Sequence, residues 1–214
     1  MKYVEHYALF GIPCSGKGEH SKIINGFSNN DLQIIEMGAE FRKEIYSATM
    51  LGQIIAPDVW AGNLLPDHYA THIVNRYSLA QNTLFDGYPR TLAQAREYHK
   101  RIKSLRKRHG YEVRPMAIFI DTKEETAVAR MKNRIATANR KGIPVRADDV
   151  EEVLRHRIKL ANTVTAQAMD YLDSKGVPVL VVDGQTDILG DDKNLYTQRV
   201  DEIQDFVSHV RDSR

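Results

Sequence analysis

A glycine-rich segment near the start of the chain carries the residue types that bind phosphate. Residues 11–18 read GIPCSGKG and satisfy the pattern Gly-x4-Gly-Lys. In that pattern the backbone N–H groups of the loop surround an anion, and the lysine reaches the outer phosphates. Gly18 stands where the general pattern has the Ser or Thr that ligates Mg²⁺, so another residue must hold the metal. A plain glycine turn is the alternative that this segment alone leaves open.

A second segment, DGYPRT at residues 86–91, supplies a carboxylate and a cation. An Asp at the carboxyl end of a strand in an open α/β sheet lies in the crevice where ligands bind, and a carboxylate there can hold Mg²⁺ through its water shell. Gly87 permits close backbone approach, and the proline fixes a turn that directs Arg90. The same residues also fit an ordinary strand-to-helix turn with Thr91 as the N-cap.

Four arginines in the second half of the chain fit a phosphoryl-transfer site. Arg130 and Arg134 are four apart on one helix face, and Arg146 and Arg157 flank an acidic run at 148–152. Transfer of a phosphoryl group needs several fixed cations, because stabilising charge on the transferring oxygens is most of the catalytic work. Arginine suits this role since its planar fork meets two phosphate oxygens at once.

The acidic run also has a purely structural interpretation. Asp148 would cap a helix, Glu151 would complete a capping box, and Glu151 with Arg155 would form an i,i+4 pair. This interpretation leaves Arg146 unexplained.

Short apolar runs alternate with longer helical patterns, which predicts an α/β fold with a parallel sheet covered by helices. Pro-Asp and Gly-Asn dipeptides near 57–63 and the segment RKGIP at 140–144 interrupt the helical pattern, and we expect irregular structure there. We expect strands at about 5–11, 33–36, 82–86, 115–121 and 177–183. We expect helices at 17–26, 39–49, 66–77, 91–108, 123–137, 148–175 and 194–211.

Composition excludes several classes of protein. The 214 residues allow one large α/β domain, or one domain that carries a small inserted one. With 30 Lys and Arg against 28 Asp and Glu, the net charge is +2, and a dedicated nucleic-acid binder would be far more basic. The apolar runs are too short for a membrane span, so we expect no membrane partner. A single Cys cannot form an internal disulfide, which favours a reducing compartment, by default the cytoplasm.

The chain resembles the adenylate kinases and their nucleoside monophosphate kinase relatives. The segments GIPCSGKG, DGYPRTLAQA and VRADDVEEVLRHRI and the pair Arg130 and Arg134 occur in the family's order and approximate spacing, across residues 11–158. The resemblance implies a monomer with a three-layer P-loop kinase fold, a five-stranded parallel sheet, an inserted helical NMP-binding region and a short lid. The implied parts are a core of residues 1–35, 80–134 and 148–214, an NMP-binding insert of 36–79, and a lid of 135–147.

The resemblance also assigns roles position by position. Lys17 would bridge the β- and γ-phosphates of ATP, and Asp86 would orient water on Mg²⁺; Asp148 and Asp149 would help to place the arginines of the lid. The implied catalytic residues are Lys17, Arg90, Arg134, Arg146 and Arg157. The implied ATP site comprises Gly11, Pro13, Cys14, Ser15, Gly16, Lys17, Gly18, Glu19, Arg130 and Arg134. The implied acceptor site comprises Met37, Gly38, Arg42, Leu65, Gly87, Arg90, Gln94, Arg146 and Arg157.

Three departures from the family pattern bear on function. Glu19 stands where the family usually has Thr, Met37 replaces a hydroxyl that favours adenine, and Ala39 removes a second acid near Mg²⁺. The expected reaction is reversible transfer from ATP to AMP, giving two ADP. A kinase for UMP, CMP or another monophosphate, and a weakly active nucleotide-binding regulator, remain as alternatives.

Overall fold

The computed structural model describes residues 2–28, 31–186 and 193–213. Within these residues five parallel strands form one sheet in the order β2-β3-β1-β4-β5. Strand β1 is central, so the glycine-rich segment that follows it opens at the middle of the sheet's carboxyl edge. The predicted α/β class and parallel sheet are confirmed. The strands are β1 (Lys2–Phe10), β2 (Gln33–Glu36), β3 (Thr83–Asp86), β4 (Tyr111–Asp121) and β5 (Val179–Asp183).

Helices cover both faces of the sheet. No helix in the described ranges is long and apolar enough to cross a membrane. The helices are α1 (Lys17–Phe27), α2 (Met37–Tyr46), α3 (Met50–Ala61), α4 (Asp67–Val74), α5 (Leu92–His109), α6 (Glu124–Arg140), α7 (Glu151–Leu160), α8 (Ala166–Ser174) and α9 (Lys193–Asp212), with a short π-helical segment, Ala161–Thr165, between α7 and α8.

Alternation along β1 distributes the core between two layers. Successive side chains of a strand point to opposite faces, so Tyr7 and Leu9 pack in the cluster that holds α1 and α9. Ala8 and Phe10 pack in the cluster that holds α5 and α8. A third cluster joins Ile12 of the glycine-rich loop to α6 and α7. The loop therefore rests on the sheet and is covered from one side by α6 and α7, which bear Arg130, Arg134 and Arg157.

Helix α3 is the element that the sequence analysis missed. Pro57 lies inside it, although proline removes a hydrogen bond and normally ends a helix. Thr49 caps its first turn by accepting from the Gly52 N–H, and Ile55 and Val59 are buried. Packing also favours the helix, since a Cβ at Gly52 would lie 2.1 Å from the Glu44 carbonyl oxygen of α2. Tertiary contact thus outweighs the local signal.

The other helix boundaries differ from the predicted ones by a turn or less. The two exceptions lie close to the segment predicted as the lid, 135–147. Helix α6 continues to Arg140, so the first part of the segment predicted as lid, 135–140, is helical. The long helix predicted at 148–175 begins only at Glu151 and changes to π-helical geometry at Ala161–Thr165.

A buried histidine in β1 should make stability depend on pH. The Nε2 of His6 lies 3.0 Å from the Leu79 carbonyl oxygen, and Nδ1 lies 3.0 Å from the Tyr98 hydroxyl. A carbonyl only accepts, so Nε2 carries the proton and Tyr98 donates to Nδ1. Burial lowers the pKa of His6 to about 4. Between pH 6.5 and pH 4 the unfolded chain therefore binds the proton and the folded chain does not.

We expect this difference to remove about 3 kcal/mol from the free energy of unfolding as the pH falls from 7 to 4. Chemical denaturation across that range measures the loss, and His6→Gln should lose that much less than the parent. His209→Gln, on an exposed position of α9, is the control and should follow the parent. Parallel curves for the parent and His6→Gln would contradict the assignment.

Candidate active site

A cavity of about 440 Å³ opens at the carboxyl edge of the sheet. Its wall is formed by the glycine-rich loop, the ends of β2 and β3, residues of helices α2 to α7 and the segment 141–150. Nearly all of the predicted site residues meet here: Pro13, Cys14, Gly16, Lys17, Gly18, Glu19, Met37, Gly38, Arg42, Leu65, Asp86, Gly87, Arg90, Gln94, Arg130, Arg134, Arg146 and Arg157 line it.

Two predicted residues lie off this wall. Gly11 lines a smaller cavity of about 20 Å³, which shares Lys17, Arg90 and Arg157 with the larger one. Ser15 is buried behind the loop, where its carbonyl oxygen accepts from Arg130 at 3.0 Å. Ser15 thus anchors the loop and does not face the cavity.

The conformation of the loop depends on its glycines. Gly11 has φ +137°, and a Cβ there would lie 2.8 Å from the Ile120 carbonyl oxygen. Gly16 has φ +100° and is the N-cap of α1, so the positive end of that helix points at the cavity. The loop therefore presents an anion-binding helix terminus on a backbone that other residues would strain.

Lys17 is held against the loop. Its Nζ donates to the carbonyl oxygens of Gly11 at 3.1 Å and Ile12 at 2.8 Å. Burial lowers the pKa of Lys17, which the nearby Asp86 carboxylate partly offsets. An anion in the cavity would gain a cation that is already positioned.

The carboxylate of Glu19 is engaged with Lys22, whose Nζ lies 2.9 Å away on the exposed side of α1. Its backbone N–H donates to the Gly16 carbonyl oxygen at 3.0 Å. The adjacent His20 is buried, and its Nδ1 donates to the same carbonyl at 3.0 Å. Glu19 still lines the cavity, but its charge is balanced locally.

Two carboxylates in the segment just before α7 hold two of the arginines. Arg134 forms a two-pronged pair with Asp149. Arg157 donates to Asp148 at 2.5 Å and to the Val59 carbonyl oxygen at 2.8 Å. The second contact links α7 to the end of α3, so the position of Arg157 depends on that of α3.

The predicted capping role of Asp148 is wrong. Val150 is the N-cap of α7, with no side-chain cap, because the Asp148 carboxylate turns to Arg157 instead. The predicted pair of Glu151 and Arg155 is confirmed at 2.7 Å.

Among the described residues, no carboxylate pairs with Arg90 or Arg146 within 4.0 Å. Burial lowers the pKa of Arg90, and the neighbouring charge of Arg157 lowers it further. Such an arginine is destabilised until an anion arrives. The cavity therefore favours a ligand with several negative charges.

Glu36 is a site residue that the sequence analysis did not single out. It ends β2 in register with Asp86, which ends β3, so two carboxylates stand side by side on the cavity wall. Burial raises the pKa of Asp86, and the charge of Glu36 raises it further. Glu36 also accepts from Arg42 at 3.2 Å. Its position at the carboxyl end of a predicted strand was the signal that could have identified it.

Another part of the cavity lining combines apolar and amide groups. Met37, the first residue of α2, is buried with its side chain against the core. Gln94 is also buried, and its amide oxygen accepts from the Arg90 N–H at 2.8 Å. An apolar wall beside a fixed amide can bind a planar base through its faces and one polar edge.

A parallel sheet with a phosphate loop after its central strand, and a polycationic cavity above it, define a P-loop phosphotransferase. Comparison with known proteins gives the same answer: the sequence profile of the family described as Adenylate kinase matches residues 9–177. The adenylate kinase of Phocaeicola vulgatus is 32% identical over 78% of this chain and 84% of its own length. The adenylate kinase of Clavibacter michiganensis subsp. michiganensis is 33% identical over 82% of this chain and 83% of its own length. That of Bacteroides fragilis is 30% identical over 78% of this chain and 84% of its own length.

The chain belongs to the adenylate kinase family. It is a phosphotransferase of the nucleoside monophosphate kinase class, with nucleotides as substrates and ATP-dependent phosphoryl transfer as its reaction.

Proposed function

We propose that the protein catalyses reversible, Mg²⁺-dependent phosphoryl transfer from ATP to AMP, giving two molecules of ADP. The observation that carries the proposal is the cavity in which Lys17, Arg90, Arg134, Arg146 and Arg157 converge on the phosphate loop. Gln94 lines the same cavity and is the residue that we propose reads the acceptor base.

The transfer requires no general base, because the attacking acceptor phosphate is already an anion. An oxygen of that phosphate bonds to the γ-phosphorus of ATP, while the bond from the γ-phosphorus to the bridging oxygen breaks. Lys17 neutralises charge on the donor phosphates, and Arg90 holds the acceptor phosphate in line. Positioning, exclusion of water and charge stabilisation account for catalysis of this type.

Asp86 fits the proposed magnesium site. It is a cavity-facing carboxylate whose pKa is raised by burial, so a divalent cation there would relieve an unfavourable charge. Glu36 stands beside it and offers a second carboxylate. This carboxylate is relevant because Ala39 stands where the family has a second acid near Mg²⁺. Oxygen ligands acting through a water shell suit Mg²⁺, which when bound neutralises charge on the donor phosphates.

The proposed division into a core, an NMP-binding insert at 36–79 and a short lid at 135–147 agrees with the cavity walls, which come from these parts. The insert contacts the core through polar pairs such as Asn63 with His156 at 3.0 Å, and through buried side chains of α4 that pack in the same cluster as β3 and α5. The proposal includes closure of the insert and the lid over the substrates. We propose a monomer, since all the site residues come from one chain, and a cytoplasmic location, since the lone cysteine favours a reducing compartment.

Two alternatives rest on specific residues. Met37 offers a buried thioether to the base, which favours a kinase with a broader choice of UMP, CMP or another monophosphate. Ala39 lacks the second acid and favours a weakly active regulator. The converging arginines argue against a regulator, because a protein that only binds nucleotides has little use for cations placed for a transition state.

A panel of acceptors separates these proposals. We expect the parent protein to phosphorylate AMP fastest. Its preference for AMP over the other acceptors should be weaker than that of the Met37→Thr variant. A hydroxyl that bonds a base edge rejects a wrong base strongly, because the wrong base leaves buried polar groups unpaired, whereas a thioether gives only adaptable apolar contact. The measurement is kcat/KM with ATP, Mg²⁺ and AMP, GMP, CMP, UMP or dTMP, and the ratio of AMP to its best competitor should sharpen about tenfold in Met37→Thr.

Met169→Thr is a control at a methionine outside the cavity lining, packed between α8 and the core, and it should leave the ratio unchanged. A kcat/KM for a pyrimidine monophosphate about tenfold above that for AMP would favour the alternative of a kinase for UMP, CMP or another monophosphate. Tight ATP binding with no turnover of any acceptor would favour the regulator.

A further inference from the structure

The side-chain amide of Gln94 has a fixed direction in this structure. Its Oε1 accepts from the Arg90 backbone N–H at 2.8 Å, and its Nε2 donates to the Asp67 Oδ1 at 2.8 Å. A backbone N–H can only donate, and an ionised carboxylate can only accept. Exchanging the oxygen and nitrogen of the amide would therefore break both hydrogen bonds.

Asp67 completes a closed ring of hydrogen bonds. The same Oδ1 accepts from the Thr91 hydroxyl at 2.7 Å, and that hydroxyl accepts from the Gln94 N–H at 3.1 Å. The carboxylate thus directs the hydroxyl proton of Thr91 and leaves an oxygen lone pair for the first turn of α5. Three side chains and one backbone group hold each other in place.

The ring joins two parts of the molecule. Asp67 is the first residue of α4, inside the segment 36–79, whereas Gln94 belongs to α5. Gln94 lines the cavity and Asp67 does not. Asp67 therefore acts on a ligand only through Gln94, and it holds the amide only while α4 lies against α5.

The Gln94 amide has one further N–H donor and one further oxygen lone pair to offer to a base. Because the amide direction is fixed, the donor and the acceptor always face the base in the same order. Adenine has an acceptor at N1 and a donor at the 6-amino group, which an amide can match in a bidentate fashion. Hypoxanthine has the reverse order on the same ring, with a donor at N1 and an acceptor at O6. An amide of fixed direction can match only one of the two.

We propose that Asp67 is a specificity-determining positioning residue that sets the direction of the Gln94 amide and so the choice between adenine and its 6-oxo analogue. The inference rests on the proposed function, in which Gln94 reads the acceptor base. Its cost to the protein is a partly buried carboxylate, and its gain is a polar edge that needs no reorganisation when the base arrives.

The test compares AMP and IMP as acceptors for the parent and three variants. Asp67→Ala removes the acceptor of the amide, and the ratio of kcat/KM for AMP over IMP should fall about tenfold, the scale of one hydrogen bond to a charged group. Asp67→Asn keeps an oxygen in the Oδ1 position and should keep the ratio within about threefold of the parent. Asp58→Ala, which removes a carboxylate bonded to Asn63 in the same insert, should leave the ratio unchanged.

The Asn variant distinguishes positioning from a general charge effect. Asp67 lies in the first turn of α4, where a negative charge favours the helix, and a purely electrostatic role would be lost equally in the Asn and Ala variants. The KM for ATP should not change in any variant. If Asp67→Ala does not fold, Asp67→Ser keeps a favourable residue at the helix start, lacks the reach to Nε2, and should show the same loss.

A folded Asp67→Ala variant whose ratio stays within about twofold of the parent, or an equal loss in Asp67→Asn, would overturn the inference. Calorimetric binding of AMP and IMP to the same proteins provides a second readout that does not need turnover. If the parent binds AMP more tightly than IMP but does not phosphorylate AMP, the proposed function is contradicted. The role of Asp67 is then decided by whether Asp67→Ala lowers the ratio of the AMP affinity to the IMP affinity.

Discussion

Replacing Lys17 with methionine should lower the rate of phosphoryl transfer by about three orders of magnitude or more while the fold remains intact. The loss is expected because Lys17 brings a fixed cation to the donor phosphates, and removal of one such group from a phosphoryl-transfer site costs about 10³–10⁵ in rate. The fold should survive because the lysine bonds only to groups of the same loop, two carbonyls and the Ser15 hydroxyl, and burial already lowers its pKa.

Steady-state turnover with saturating ATP and AMP measures the effect, and thermal unfolding checks the fold. Lys22→Met is the matched control: Lys22 lies on the same helix, its side chain is 73% exposed, and it pairs with Glu19. It should retain nearly full activity. More than a tenth of the parent turnover in Lys17→Met would refute the assignment of the phosphate site.

Replacing Arg90 with alanine should produce a loss of similar size, with a different signature in stability. Arg90 has no ion pair among the described residues. Its burial and the nearby charge of Arg157 lower its pKa. Its removal relieves repulsion between cations, so the ligand-free variant should unfold at the same temperature as the parent or higher. Stabilisation by AMP should decrease, because the acceptor phosphate loses its positioned partner.

Arg106→Ala, at an exposed position of α5, the helix that follows Arg90, is the control for the loss of an arginine away from the cavity. Its turnover and its stabilisation by AMP should match those of the parent. An Arg90→Ala variant that unfolds much earlier than the parent would show that Arg90 has a structural role, and one that keeps more than a tenth of the turnover would remove it from the active site.

The sequence predicted the elements whose signals are local. The phosphate loop is one short segment whose glycines serve the backbone conformation of that same segment, so its position after β1 and before α1 could be inferred. The strands could be located because buried parallel strands are apolar throughout. The convergence of Arg90 and Arg157 on Lys17 followed from the family resemblance, since no local pattern brings together residues so far apart in the chain.

What could not be predicted depends on contacts between distant segments. Pro57 suggests the end of a helix, yet α3 continues through it because Ile55 and Val59 are buried and Gly52 packs against α2. Asp148 suggests an N-cap, yet the carboxylate turns to Arg157. The hydrogen bond between Asp67 and Gln94 joins α4 to α5, and neither residue type indicates the other in the sequence.

The central claim is transfer of the γ-phosphoryl group of ATP to AMP, and its most direct test is to follow that group. The protein is incubated with Mg²⁺, unlabelled AMP and ATP labelled with ³²P in the γ-phosphate, and the nucleotides are then separated. The label should appear in the β-phosphate of ADP made from AMP, with equal amounts of ATP and AMP consumed. Label released as inorganic phosphate, or label that stays in ATP while AMP is unchanged, would contradict the account.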